Sequence, residues 1–194
     1  TIQPSTTTPV AQSPITIGFV DTVIANVKDV VWAVSDAVSE IFVSVRNGLS
    51  ELFDYSFSKS GDYKVTATVR DANNQTIATS STQLTVTAAA PTASLLGSAT
   101  TGIVGQPVVF VLNNSKAFEG KICSYLFAGG GEIGDSGGGD CSNASQVLVL
   151  PSITELYTTA GTYTATLTVT DTQGKTATTT HVVTVTEATQ TATS

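Results

Sequence analysis

The sequence predicts a mainly β chain with one long α-helix near its N-terminus, made of one full antiparallel β-sandwich and a partial second one. Three observations predict this. Residues 61–71 and 161–171 repeat each other at an offset of 100, each as alternating apolar and hydroxyl side chains. Between Phe19 and Phe53 the apolar spacing changes from two to three and four. Charged residues are only 12% of the chain and hydrophobic ones 41%, so 194 residues can bury a core rather than stay disordered.

Residues 1–18 read as an extended arm. Thr1 to Pro14 is rich in Thr and contains three prolines, which keep it from becoming a helix. Nothing in it can form a core, so it is expected to be a free arm or a strand lent to another subunit. Residues 19–53 are expected to be an amphipathic helix about 50 Å long at 1.5 Å per residue. Its apolar face would be Val20, Ile24, Val27, Val31, Val34, Val38, Ile41, Val45 and Leu52, opposite a polar stripe that includes Asp29, Asp36, Glu40 and Ser44. Val is a mediocre helix former, so such a helix depends on packing. The competing reading is a pair of strands turning at Asn47-Gly48. An apolar stripe this long exceeds what a partial sandwich easily covers; it is expected either to be satisfied inside the subunit or to be the assembly face, packing on copies of itself or on a neighbouring subunit.

Residues 54–90 read as a partial β unit and residues 91–186 as a full sandwich, followed by a tail at 187–194. In the second copy Tyr163, Ala165, Leu167 and Val169 alternate with Thr162, Thr164, Thr166 and Thr168, which puts the first set inside and the threonines in water. Asp171-Thr-Gln-Gly174 and Asp71-Ala-Asn-Asn74 supply turn chemistry, and an alternating strand follows each. Each copy therefore ends in a hairpin that needs a second sheet to cover it.

The stretch Ala160-Gly-Thr-Tyr-Thr-Ala-Thr-Leu-Thr-Val-Thr-Asp171 resembles the most recognisable motif of the polycystic kidney disease (PKD) domain, an immunoglobulin-like β-sandwich. The resemblance covers one full copy at about 91–186 and one partial copy at about 51–87. It implies an early strand at Gly105–Leu112 and a later one at Ile122–Phe127. The family usually has a Trp and a Gly-Asp-Gly around that later strand. This chain has Leu126-Phe-Ala-Gly-Gly-Gly131, so those roles are not carried over. Tyr163 is either a tyrosine-corner residue, its hydroxyl fixing a nearby loop, or a plain core aromatic.

Charge and motifs exclude several function classes. Eight Lys and Arg against 15 Asp and Glu give a net charge of −7, the opposite of a nucleic-acid footprint. No apolar run is long enough to cross a bilayer as a helix. The absence of Met, with Thr1 first, fits a chain whose secretory signal has been removed; a fragment would look the same. Cys123 and Cys141 have no neighbouring His, which makes a poor zinc site; a disulfide is expected, the alternative being two buried thiols. Asn74, Asn113 and Asn143 each head a glycosylation sequon. Glu132, Asp135 and Asp140 crowd one Gly-rich loop and are the candidate oxygens for a calcium ion, although no EF-hand spacing is present. No other cofactor is expected.

Catalysis is not expected. Gly134-Asp-Ser-Gly-Gly-Gly139 resembles the nucleophile segment of chymotrypsin-like proteases, but His181 is the only His and follows the Ser. Gly129-Gly-Gly-Glu-Ile-Gly134 fits a G-x-G-x-x-G pattern, yet it runs into Asp135-Ser-Gly-Gly-Gly-Asp140, which cannot open a phosphate-binding helix. The first functional expectation is a non-catalytic structural subunit of an extracellular filament, pilus-like appendage or surface layer. The subunit would join copies of itself through helix packing or donated strands. The alternatives are an adhesive glycan- or protein-binding module of a secreted surface protein, and a virion or phage-tail component.

Overall fold

In the computed structural model, every regular element among the described residues is a β-strand; these residues are 1–20, 24–47, 52–131, 134–139, 141–142 and 148–188. The chain divides into two units, Thr1–Ala89 and Ala90–Ser194.

The first unit contains β1 (Ile2–Pro4), β2 (Pro14–Phe19), β3 (Asp29–Ser35), β4 (Glu40–Asn47), β5 (Phe53–Ser56), β6 (Gly61–Arg70) and β7 (Thr76–Val86). They form a three-stranded sheet in the order β1-β2-β5 and a four-stranded sheet in the order β4-β3-β6-β7. Alternation decides which side of each strand is buried. Ile15 and Ile17 of β2 and Phe53 of β5 face Val30, Trp32 and Val34 of β3 and Val65, Ala67 and Val69 of β6 in one core. Trp32 stacks on Phe53 with ring centroids 5.1 Å apart, joining the two sheets.

This overturns the expected helix over 19–53 and the partial second sandwich. The expected apolar face is spread over unrelated places. Val34 is in the core of β3, while Val31 lies on the opposite face of that strand. Val38 is 92% exposed in the turn before β4, Ile41 and Val45 are exposed on β4, and Leu52 is exposed before β5. Val20, Ile24 and Val27 lie outside the strands and are partly buried. The physical reason is β-branching. Val is stiff and suits an extended chain, and here tertiary pairing is available to both β3 and β4.

Residues 1–18 are likewise part of the sandwich rather than an extended arm. Ile2–Pro4 pairs with β2, and Ile2 and Ala11 are buried. Pro9–Ala11 then crosses to the other sheet, where Thr87 N donates to Pro9 O and Ala11 N donates to Thr87 O, both at 2.9 Å. The prolines mark where the chain changes sheets. The first unit thus owns both of its layers.

The second unit contains β8 (Leu96–Gly97), β9 (Thr101–Ile103), β10 (Pro107–Val111), β11 (Ile122–Ala128), β12 (Gly134–Gly138), β13 (Ser152–Leu156), β14 (Gly161–Asp171) and β15 (Thr176–Thr186). Its sheets run β13-β10-β8 and β12-β11-β14-β15-β9, with β9 parallel to β15. Phe110, Phe127, Leu167 and Val183 lie at the centre of its core.

The repeat at offset 100 is a structural repeat. Asp71 Oδ1 accepts from the amides of Asn73 and Gln75, and Asp171 Oδ1 from those of Gln173 and Lys175. Asn74 takes φ 62° where Gly174 takes φ 74°, the left-handed turn position that Asn and Gly tolerate. Tyr63 donates to Lys59 O at 3.0 Å and Tyr163 to Thr159 O at 2.8 Å, so each tyrosine hydroxyl pins the loop before its strand.

Candidate functional site

The residues of the protease-like and glycine-rich motifs, from which no catalysis is expected, pack within the second unit. His181 lies on β15 with its ring against Phe110, centroids 5.9 Å apart, and Nε2 is 3.2 Å from Ala99 O. It packs so closely over Gly97 that a Cβ there would come within 2.5 Å of Nε2. Ser136 is on β12, and β11 and β14 lie between the two strands. At a strand spacing of about 4.8 Å, Ser136 and His181 are about 14 Å apart across the sheet, out of hydrogen-bond reach. Of the Gly129–Gly134 pattern, Gly129–Gly131 follow β11 and Gly134 opens β12, while Glu132 and Ile133 lie outside the described residues. Tyr157 donates to Gly129 O at 2.8 Å, and Gly130 (φ 81°) sits against the Thr164 backbone.

Cys123 and Cys141 form a disulfide, with S–S 2.01 Å and Cα–Cα 5.2 Å. It ties the start of β11 to the chain just after β12. Within that hairpin Tyr125 donates to Asp135 Oδ2 at 2.8 Å. Burial, together with the Asp135 carboxylate, pushes the Tyr125 hydroxyl pKa up. Asp135 is thereby held by a phenol. Glu132 and Asp140, the other two candidate calcium ligands, lie outside the described residues, and among the described residues no cluster of three ligating side chains forms.

Two of the sequons are exposed. Asn74 is in the β6–β7 turn, where its side-chain oxygen accepts from Lys28 Nζ at 2.6 Å. Asn113 is in the turn after β10, and Asn143 lies outside the described residues. Among the described residues three carboxylates are buried: Asp29, Glu155 and Asp171. Arg70 Nε donates to Asp29 at 2.7 Å and, as the main cause, holds its carboxyl below the usual range; Lys28 stands 3.8 Å away.

A groove of about 410 Å³ on the second unit was not legible in the sequence. Its floor is aliphatic, from Ile122, Leu148 and Leu150, and its rim carries Asn113, Lys116 and Lys121. Both lysines stand on fixed backbone. Lys116 exchanges two main-chain hydrogen bonds with Thr92, at 2.8 and 2.9 Å. Lys121 N donates to Thr172 Oγ1 at 3.2 Å, and Thr172 N donates to Lys121 O at 2.9 Å. Beneath the rim, Ser115 Oγ accepts from Ser94 N and donates to Ser94 O. An apolar floor with a few fixed polar groups is the usual make-up of a small-ligand site. Its walls come from segments more than 20 positions apart, so no local motif announces it.

Residues 88–186 match the family model described as PKD domain. No curated protein matches the chain. Among solved structures, similarity extends to carbohydrate-binding modules of the β-sandwich superfamily, at 31% identity and TM-score 0.43 over 52% of this chain and 36% of that one. It also extends to the PKD1 domain of Vibrio anguillarum Epp, at 28% identity and TM-score 0.39 over 52% of this chain and 98% of that one. The PKD1 domain of the Vibrio cholerae metalloprotease PrtV is similar at 28% identity and TM-score 0.38, over 50% and 98%. This chain spans about a third of the first of these three structures.

Proposed function

The chain belongs to the PKD-domain family, and on that premise we propose that it is a non-catalytic, adhesive binding module of a secreted surface protein, holding a carboxylate-bearing glycan in the groove between Lys116 and Lys121. The observation that carries this reading is the pair of backbone-clamped lysines over an aliphatic floor, in a chain whose net charge is −7. Two of only eight basic side chains face one concavity. Their ammonium groups suit sugar carboxylates, the aliphatic floor suits the C–H face of a pyranose, and the Asn113 amide suits a hydroxyl. The Cys123–Cys141 bridge suits an oxidising, extracellular setting. No helix of the described residues is long and apolar enough to cross a membrane.

The filament reading is the weaker of the two. Its premise was a first unit short of strands, and residues 1–89 supply both sheets themselves. Titration of the purified chain with an oligouronate and with a neutral oligosaccharide of equal length tests the binding reading. Binding is expected for the oligouronate alone. Lys116→Gln with Lys121→Gln should weaken it about tenfold, since two partly exposed ion pairs at about 0.5–1 kcal/mol each are removed. Equal binding of both sugars, binding of neither, or indifference to the double substitution rejects the groove.

A further inference from the structure

Among the described residues, the outer strand of the first unit's larger sheet exposes apolar side chains, in a different unit from the groove. β4 is the last strand of its sheet and among the described residues pairs with β3 alone. It is eight residues long, and Ile41, Phe42, Val43 and Val45 are exposed by 42%, 38%, 49% and 53%. Val43 and Val45 stand opposite Ala33 and Val31 of β3, on the face away from the core that holds Trp32 and Val34. The apolar surface therefore continues inward from the edge. Phe42 turns the other way, its ring 5.8 Å from Phe53 and 5.1 Å from Tyr55.

An edge that is long and apolar, with a row of backbone groups facing outward, is a template for another strand. The second unit avoids this at the equivalent place. Its β12 flanks β11 as β4 flanks β3, but reads Gly-Asp-Ser-Gly-Gly, without an apolar side chain. One unit has a blunted edge and its repeat has an open one.

The sequence of β4 also indicates its occupant. Glu40 stands at one end and Arg46 near the other, with Ile41 to Val45 between them. Antiparallel pairing of two β4 strands about Val43 puts Ile41 across from Val45. It also brings Glu40 of each copy level with Arg46 of the other. Parallel pairing would set glutamate beside glutamate. We propose that β4 is a self-association edge at which two copies of this chain pair antiparallel and join their four-stranded sheets into one. Such a contact is isologous and closes at two copies rather than propagating.

Sedimentation velocity of the full chain, from about 1 to about 300 μM, should show a reversible monomer–dimer equilibrium. Glu40→Arg places like charges at both ends of the paired strands and should weaken the dimer about tenfold; adding Arg46→Glu should restore it. Val45→Lys, on the exposed outer face, should also weaken the dimer, whereas Ser136→Lys on β12 should not. Unchanged circular dichroism and melting of each variant separate lost pairing from lost folding. The Lys116→Gln, Lys121→Gln variant should dimerise normally, which keeps this test apart from that of the groove. A monomer across the whole range, the result expected if the edge serves a foreign strand, overturns the proposal. So does a dimer indifferent to both Glu40→Arg and Val45→Lys.

Discussion

Tyr157 is 2% exposed, and its hydroxyl donates to Gly129 O at 2.8 Å, the contact that holds the glycine-rich connection onto the second core. Burial first, then the carboxylate of Glu155 and the phenol of Tyr163, push its pKa from 10.0 to about 12. The sign follows from the neutral form being favoured in the fold. The stabilisation is complete below the unfolded value near 10 and is lost as pH rises through about 12, because the unfolded chain ionises first. Burial raises Tyr55 and Tyr125 in the same direction. Urea unfolding of Tyr157→Phe at neutral pH should show a loss of about 1–2 kcal/mol, from the missing hydrogen bond and the stranded Gly129 carbonyl. The same variant should lose less stability than wild type between pH 10 and 12. An unchanged alkaline slope would mean that Tyr157 is not the group responsible. Nothing in the sequence around Tyr157 marks this role, because its acceptor lies 28 positions away.

At the scale of elements, two hairpins were easy to read and a third was not. The β6–β7 and β14–β15 pairs were legible because one face is apolar and the other hydroxylated, and because the turns begin with Asp71 and Asp171. The β3–β4 pair was not. Val30, Trp32 and Val34 face the core, but Val31 and Ala33 on the other side of β3 are apolar as well, beside Val43 and Val45. Apolar residues on both faces erase the period of two, and a subset of them happens to fall at helical spacing. Of these outer-face residues, Val43 and Val45 lie on the edge strand proposed to meet a second copy. The β11–β12 hairpin has the opposite character: its outer strand β12 has no apolar side chain, and a covalent tie closes it. Cys123 and Cys141 enclose a separation of 18 residues. Cys123→Ser with Cys141→Ser should therefore cost up to about 3 kcal/mol through the unfolded chain, read as a lower melting temperature of the second unit. A melting point equal to that of the wild type would show the bridge to be dispensable.

For the whole molecule, the decisive fact is that each half completes its own sandwich. Ile2, Ala11, Ile15 and Ile17 are all buried in the first core. Deleting residues 1–14 should therefore unfold the first unit instead of merely releasing a tether, and residues 1–89 expressed alone should fold cooperatively; one-dimensional proton NMR reads both outcomes. A folded first unit after that deletion would restore the free-arm reading. By itself the sequence determined the β-rich character, the tandem repeat and the cysteine pair expected to bridge, because each is written in local alternation, turn chemistry or composition, and its Ala160–Asp171 motif carried the resemblance to the PKD family that the family model bears out. Only the tertiary structure decided that residues 1–56 supply the strands the first repeat lacked, and that Asn113, Lys116, Lys121 and Leu148 meet at one groove. Strand partners and groove walls are long-range contacts. A valine accepts either a helix or a strand locally, and it is the hydrogen-bonding and packing partner brought in from elsewhere in the chain that selects between them.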